Sequence, residues 1–107
     1  MRKFIFALMA CAALVGCKDQ GGDFVGVWKK PGDMPETITV TKAGSGYRVL
    51  SKLDADTEGY MKVEIPLDAE SNTILTTARK KKALELSPTG QVISYLRNEP
   101  GTFTKVN

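Results

Sequence analysis

Between positions 36 and 42 the chain reads Glu-Thr-Ile-Thr-Val-Thr-Lys, so that Ile38 and Val40 alternate with Thr37, Thr39 and Thr41. A period of two sends successive side chains to opposite faces, and a run this rich in β-branched residues specifies a half-buried strand. Positions 43–46, Ala-Gly-Ser-Gly, turn the chain and 47–53 bring it back, the clearest hairpin in the sequence. A polar turn at 54–59 leads to another alternating run at 60–67, with Met61, Val63, Ile65 and Leu67 on one face and Tyr60, Lys62 and Glu64 on the other. Pro66 has no N–H to give to a ladder, so it marks an edge or the frayed end of that strand.

Shorter runs follow at 73–78, at 82–87 with Leu84 and Leu86 on one face, at 91–97 and at 102–106, separated by Ser-Pro-Thr-Gly and Asn-Glu-Pro-Gly turns. With 24–29 at the front, about eight short strands with turns every 8 to 12 residues predict an all-β fold, a small antiparallel meander barrel or sandwich. No segment has helical periodicity and no internal repeat stands out beyond the strand rhythm. An eight-stranded barrel is just wide enough for side chains to fill it, and strands this short add little depth. A packed core without a large ligand cavity is therefore expected.

Ahead of the strands lie Arg2 and Lys3, an apolar run over 4–15, Gly16 and Cys17. That is the layout of a secretory leader, and the run falls short of the roughly 20 apolar residues needed to cross a bilayer. Leu14-Val15-Gly16-Cys17 resembles the lipobox of bacterial lipoproteins. The resemblance implies cleavage before Cys17 and lipidation of Cys17 as the new N-terminus. A competing Ala10-Cys11 site would leave a shorter apolar run, and bulky Met9 fits that pattern less well than Val15 does. The expected organisation is a signal peptide over 1–16, a lipidated cysteine and flexible tether over 17–23, and a β domain over 24–107. Lys18, not aspartate, follows the cysteine, which, if the cell is Gram-negative, implies under the sorting rule of such lipoproteins the outer membrane, facing the periplasm.

The first strand carries a second resemblance. Phe24-Val25-Gly26-Val27-Trp28 is similar to the Gly-x-Trp opening of lipocalin-like β-barrels, in which the tryptophan closes one end of the barrel under a late-strand arginine. Arg97 is the candidate for that arginine, and Trp28 is expected in the core.

Composition narrows the chemistry. The full chain has 15 basic and 12 acidic residues; removal of the leader takes away Arg2 and Lys3, leaving a nearly neutral domain with no charge argument for a nucleic-acid partner. The leader also takes Cys11, so Cys17 alone remains and no intramolecular disulfide is expected. There is no histidine, the commonest general base and metal ligand. Neither a catalytic residue, nor a metal, nor a cofactor is expected. The acidic turn Asp54, Asp56 and Glu58 lacks the full calcium-loop pattern, and a hydrolase would need two carboxylates facing one cleft.

The densest charge is Arg79, Lys80, Lys81 and Lys82. Such a cluster meets lipid phosphates or lipopolysaccharide in some proteins; the favoured reading here is a solvated turn or an edge guarded by lysines. These features predict a lipid-anchored protein of a bacterial envelope, held to the membrane through its N-terminal lipid, whose β domain binds or scaffolds an envelope component without catalysis. An alternative is an envelope inhibitor or exclusion protein that blocks a lysozyme, protease or phage receptor through a loop, for which 29–36 is the longest irregular candidate.

Overall fold

A computed structural model describes residues 20–106 of the chain; the leader and Cys17 lie outside them. Eight strands, β1 Gly26–Lys30, β2 Glu36–Ala43, β3 Gly46–Leu53, β4 Val63–Ser71, β5 Ile74–Thr76, β6 Lys82–Leu86, β7 Val92–Ser94 and β8 Gly101–Lys105, pair with their sequence neighbours in antiparallel fashion. β8 then pairs back to β1, with Trp28 opposite Lys105, so the meander closes into a barrel. Of the two architectures open from the sequence, the barrel is the one formed.

In a closed meander alternate loops share an end. Loops 31–35, 54–62, 77–81 and 95–100 gather at one end, here called the mouth. The remaining tight turns and the incoming chain lie at the other, the base. The interior is filled: Phe24, Trp28, Tyr47, Leu75, Leu84 and Phe103 are all buried. Burying one large side chain of this kind contributes about 1.5–3 kcal/mol, which suits a domain that must hold by packing.

The base is closed by the segment ahead of β1. Residues Gly22–Phe24 form a single 3-10 turn that drives the Phe24 ring into the barrel. The Trp28 indole N–H donates to the Phe24 carbonyl at 2.9 Å, and the Tyr47 hydroxyl donates to the Gln20 carbonyl at 2.7 Å. Gly21 is left-handed, with φ 86°, and a Cβ there would lie 3.1 Å from Ala69, Leu75 and Tyr47 side-chain atoms. Only glycine has both the conformation and the room. From Gln20 onward the last residues of the stretch expected as a tether are laid onto the barrel by these contacts.

Strand boundaries also differ from the sequence expectation, most of all in β4 and β7. β4 begins at Val63, not at 60, because the Asp56 carboxylate accepts the backbone N–H groups of Tyr60 and Met61 at 3.2 and 2.7 Å and holds them in a turn. Tyr60 and Met61 are exposed as a result, and Met61 does not join the inward face of Leu67. At its far end β4 runs on to Ser71; its pairing passes from β3 to β5 only at Asp68, so Pro66 lies mid-strand where the outer edge has no strand partner. The edge placement of that proline holds. Finally, β7 stops at Ser94: Leu96 N–H turns back to the Ser94 hydroxyl, and Arg97 leaves the sheet for the mouth.

Candidate functional site

The inward phase of β2 includes more than its apolar residues. Glu36 is in step with Ile38 and Val40, and Ser51 is in step with Tyr47, Val49 and Leu53 on β3, so both polar side chains point into the barrel near the mouth. Both are buried, Glu36 at 3% exposure. A buried carboxylate is tolerated only when paired and hydrogen-bonded, and loop 95–100 supplies the partner. Arg97 Nε donates to Glu36 Oε2 at 3.0 Å, and the Ser51 hydroxyl donates to the same oxygen. Arg97 Nη2 donates to Ser51 Oγ at 3.2 Å and to the Met61 carbonyl at 3.1 Å. Lys30, opposite Glu36 on β1, brings its ammonium to 3.9 Å from Oε1. One guanidinium thus clips two mouth loops to the ends of β2 and β3, using the fixed fork that suits arginine to this task.

Above the clip lies an open cleft of about 370 Å³ whose wall includes Lys30, Glu36, Arg97 and Glu99. A neighbouring cleft of about 320 Å³ shares Met34, Leu53 and Met61 with it. Met34 and Met61, which line both clefts, are 59% and 57% exposed, so flexible apolar side chains stand beside the Glu36–Arg97 pair. Methionine adapts its shape to what it meets, a property typical of binding surfaces.

Arg97 therefore takes a role other than the one the barrel resemblance implied. The cation over the Trp28 ring is Lys105, 5.6 Å from the centroid, because Arg97 is spent on Glu36 at the mouth. Trp28 itself is in the core, as expected. The acidic turn is dispersed: Asp54 accepts the Thr37 hydroxyl at 2.7 Å and lies 3.6 Å from Lys29, while Asp56 caps backbone amides. Each cleft is lined by two carboxylates: Glu36 and Glu99 in the first, where Glu36 is committed to Arg97, and Asp33 and Asp56 in the second, where Asp56 holds the Tyr60 and Met61 amides. Ser51, fully buried, is out of reach of a substrate. Residues 29–36 shrink to the loop 31–35, since Lys29 and Lys30 belong to β1 and Glu36 to β2; the longest irregular segment among the described residues is 54–62. Arg79, Lys80 and Lys81 sit in the exposed loop 77–81, whereas Lys82 opens β6 and pairs with Glu85 at 3.3 Å.

Glu36, Ser51, Met34 and Met61 were not singled out from the sequence. The signal for Glu36 was present in its phase with Ile38 and Val40; that for Met61 was hidden by the turn that removes it from β4. No protein-family model matches the chain, and neither a curated protein nor a solved structure matches it.

Proposed function

We propose that this chain is a lipid-anchored bacterial envelope lipoprotein whose barrel binds a protein partner through its mouth without catalysing a reaction. The observation that carries the reading is the difference between the two ends of the barrel. The base is plugged by Phe24 and receives the chain at Gln20 and Gly21. The mouth has open clefts, the Glu36–Arg97 pair and exposed Met34, Tyr60 and Met61.

A lipid on Cys17 would be only about 10 Å of extended chain from Gln20. The anchor therefore holds the base toward the bilayer and leaves the mouth facing away, where an apolar rim gains most by meeting another protein. The absence of catalysis is supported by the commitment of the mouth's buried carboxylate to arginine, lysine and serine. For a Gram-negative cell the outer membrane remains the proposed location, on the strength of Lys18.

A blocking role, against an enzyme or receptor of the envelope, is favoured by one feature: Met34 projects from a short loop bracketed by Pro31 and Pro35, which restrict its backbone. A stiff loop with an apolar tip suits insertion into a partner's cleft.

Two linked measurements test the proposal. Mass spectrometry of the membrane fraction should find Cys17 lipidated, and Cys17→Ser should leave an uncut or soluble product. A photo-crosslinking residue at Met61 should then yield an adduct with a protein that the same residue at Thr102, on the outer wall, does not. An unmodified Cys17, or equal yields from the two positions, would contradict it.

A further inference from the structure

The loop 77–81 is more rigid than a solvated charge run needs to be. Thr77 Oγ1 accepts the N–H groups of Arg79 and Lys81, both at 3.3 Å, and the Thr77 N–H donates to the Lys81 carbonyl at 2.8 Å. Lys80 N–H donates to the Thr77 carbonyl at 2.9 Å, and Lys80 itself is the one non-glycine residue with positive φ among the described residues, at 66°. A left-handed backbone strains a residue bearing a Cβ, and glycine or asparagine would relieve it. The turn keeps a cation there instead. Arg79, Lys80 and Lys81 make no ion pair among the described residues, in contrast to Lys82. Three unneutralised cations are thus held on a fixed backbone.

Beside them the wall of the barrel is incomplete. Positions 63–67 of β4 pair with β3 alone, and the gap on their outer side is an apolar notch of about 360 Å³ formed by Ile65, Pro66, Thr77, Ala78 and Arg79. Pro66 denies the notch a full ladder of backbone hydrogen bonds, so an occupant must be held by side chains and charge more than by strand addition. A free strand flank, an apolar notch and a fixed tripod of cations meet at one place.

We propose that this place is a docking site for an extended acidic segment of a protein partner, its carboxylates on Arg79, Lys80 and Lys81 and one apolar side chain in the notch. Charge complementarity selects the occupant, and the same cations repel a second copy of this edge. An anionic bilayer offers similar charge, but loop 77–81 is at the mouth, opposite the base where the chain enters, so the anchoring membrane is turned away from it. That exclusion of the bilayer rests on the anchoring proposed above; the cations and the notch do not.

The test uses the full lipidated protein in discs of zwitterionic lipid and a fluorescent peptide of aspartates and glutamates around a central leucine. The peptide should bind, more weakly as salt rises, while its asparagine and glutamine counterpart should not. Replacing Arg79, Lys80 and Lys81 together by serine should weaken binding about tenfold, the sum expected of three exposed ion pairs. Leucine to alanine in the peptide should weaken it too. Lys80→Gly keeps the loop intact even if the triple variant unfolds: it should raise the melting temperature by relieving the strain, yet weaken binding. Equal binding by Lys80→Gly and the parent would overturn the proposal. Loss of peptide binding only in discs of anionic lipid would instead overturn the anchoring on which the exclusion of the bilayer rests, since the loop would then be facing its own membrane.

Discussion

Arg97 Nε, on the last loop of the mouth, lies 3.0 Å from the buried Glu36 Oε2 at the first residue of β2. A pair of this kind adds little net stability over an apolar replacement, yet breaking it strands a charge. Arg97→Ala should therefore cost about 3 kcal/mol, while a Glu36→Met and Arg97→Met double variant should recover most of that loss. Denaturant melts of the parent, Arg97→Ala and the double variant would measure it. A double variant no more stable than Arg97→Ala would show that the clip is not acting through buried charge.

Trp28 touches both the plug and the wall, through Phe24 and Lys105. Trp28→Ala should cost about 3–5 kcal/mol, a large part of the stability of a small domain. The native indole should fluoresce as a buried group and shift to the red on unfolding. Emission already typical of exposed indole in the folded protein would contradict the placement.

How far the sequence disclosed this structure depends on what kind of signal each element left. Ile38, Val40 and Val49 announced β2 and β3 by alternation, because a one-residue slip would have turned each of them to solvent. Closure of the barrel left no such trace: the β1–β8 pairing joins distant strands, and a sandwich has the same rhythm. Tyr60 and Met61 alternate as well as Val63 does, but Asp56 captures their amides, a competition invisible in a hydrophobic pattern. The barrel resemblance puts Arg97 over the Trp28 ring, where Lys105 lies. The partner of Arg97 is a glutamate concealed at an inward position, where charge is normally excluded.

Gly21 fixes the angle at which the chain enters the base. Its positive φ and the 3.1 Å approach of Ala69, Leu75 and Tyr47 atoms to a would-be Cβ predict that Gly21→Ala costs about 1–3 kcal/mol, by overpacking and backbone strain together. Gly32 is also left-handed, φ 123°, but nothing lies within 4 Å of its would-be Cβ, so Gly32→Ala should cost less. Thermal melts of the two variants would compare them, and equal losses would refute the steric part of the account.

On the outer wall, the Tyr95 hydroxyl donates to Glu85 Oε1 at 2.9 Å and Lys82 Nζ contacts the same oxygen at 3.3 Å. The bond from Tyr95, then that from Lys82, holds the Glu85 carboxyl below its ordinary pKa; the bond to Glu85, with burial, raises the Tyr95 phenol. The signs define a window. Glu85, depressed on folding, stabilises above its unfolded pKa, and that contribution disappears as pH falls through the folded value. Tyr95, raised on folding, stabilises below its unfolded pKa and loses its contribution as pH rises through the folded value. Glu85→Gln should return the Tyr95 phenol toward its ordinary titration, observable at its ring carbons by NMR, and an unchanged titration would contradict the assignment.

The central claim, a barrel anchored at its base and open at its mouth away from the membrane, is tested most directly by relaxation from gadolinium-labelled lipid headgroups in bilayer discs carrying the full lipidated protein. Amide signals of Ser45 and Asn72, at the base, should broaden strongly, while those of Tyr60, Lys80 and Glu99, at the mouth, should persist. Broadening of the mouth signals with the base spared would show the barrel inverted on its anchor and would contradict the account.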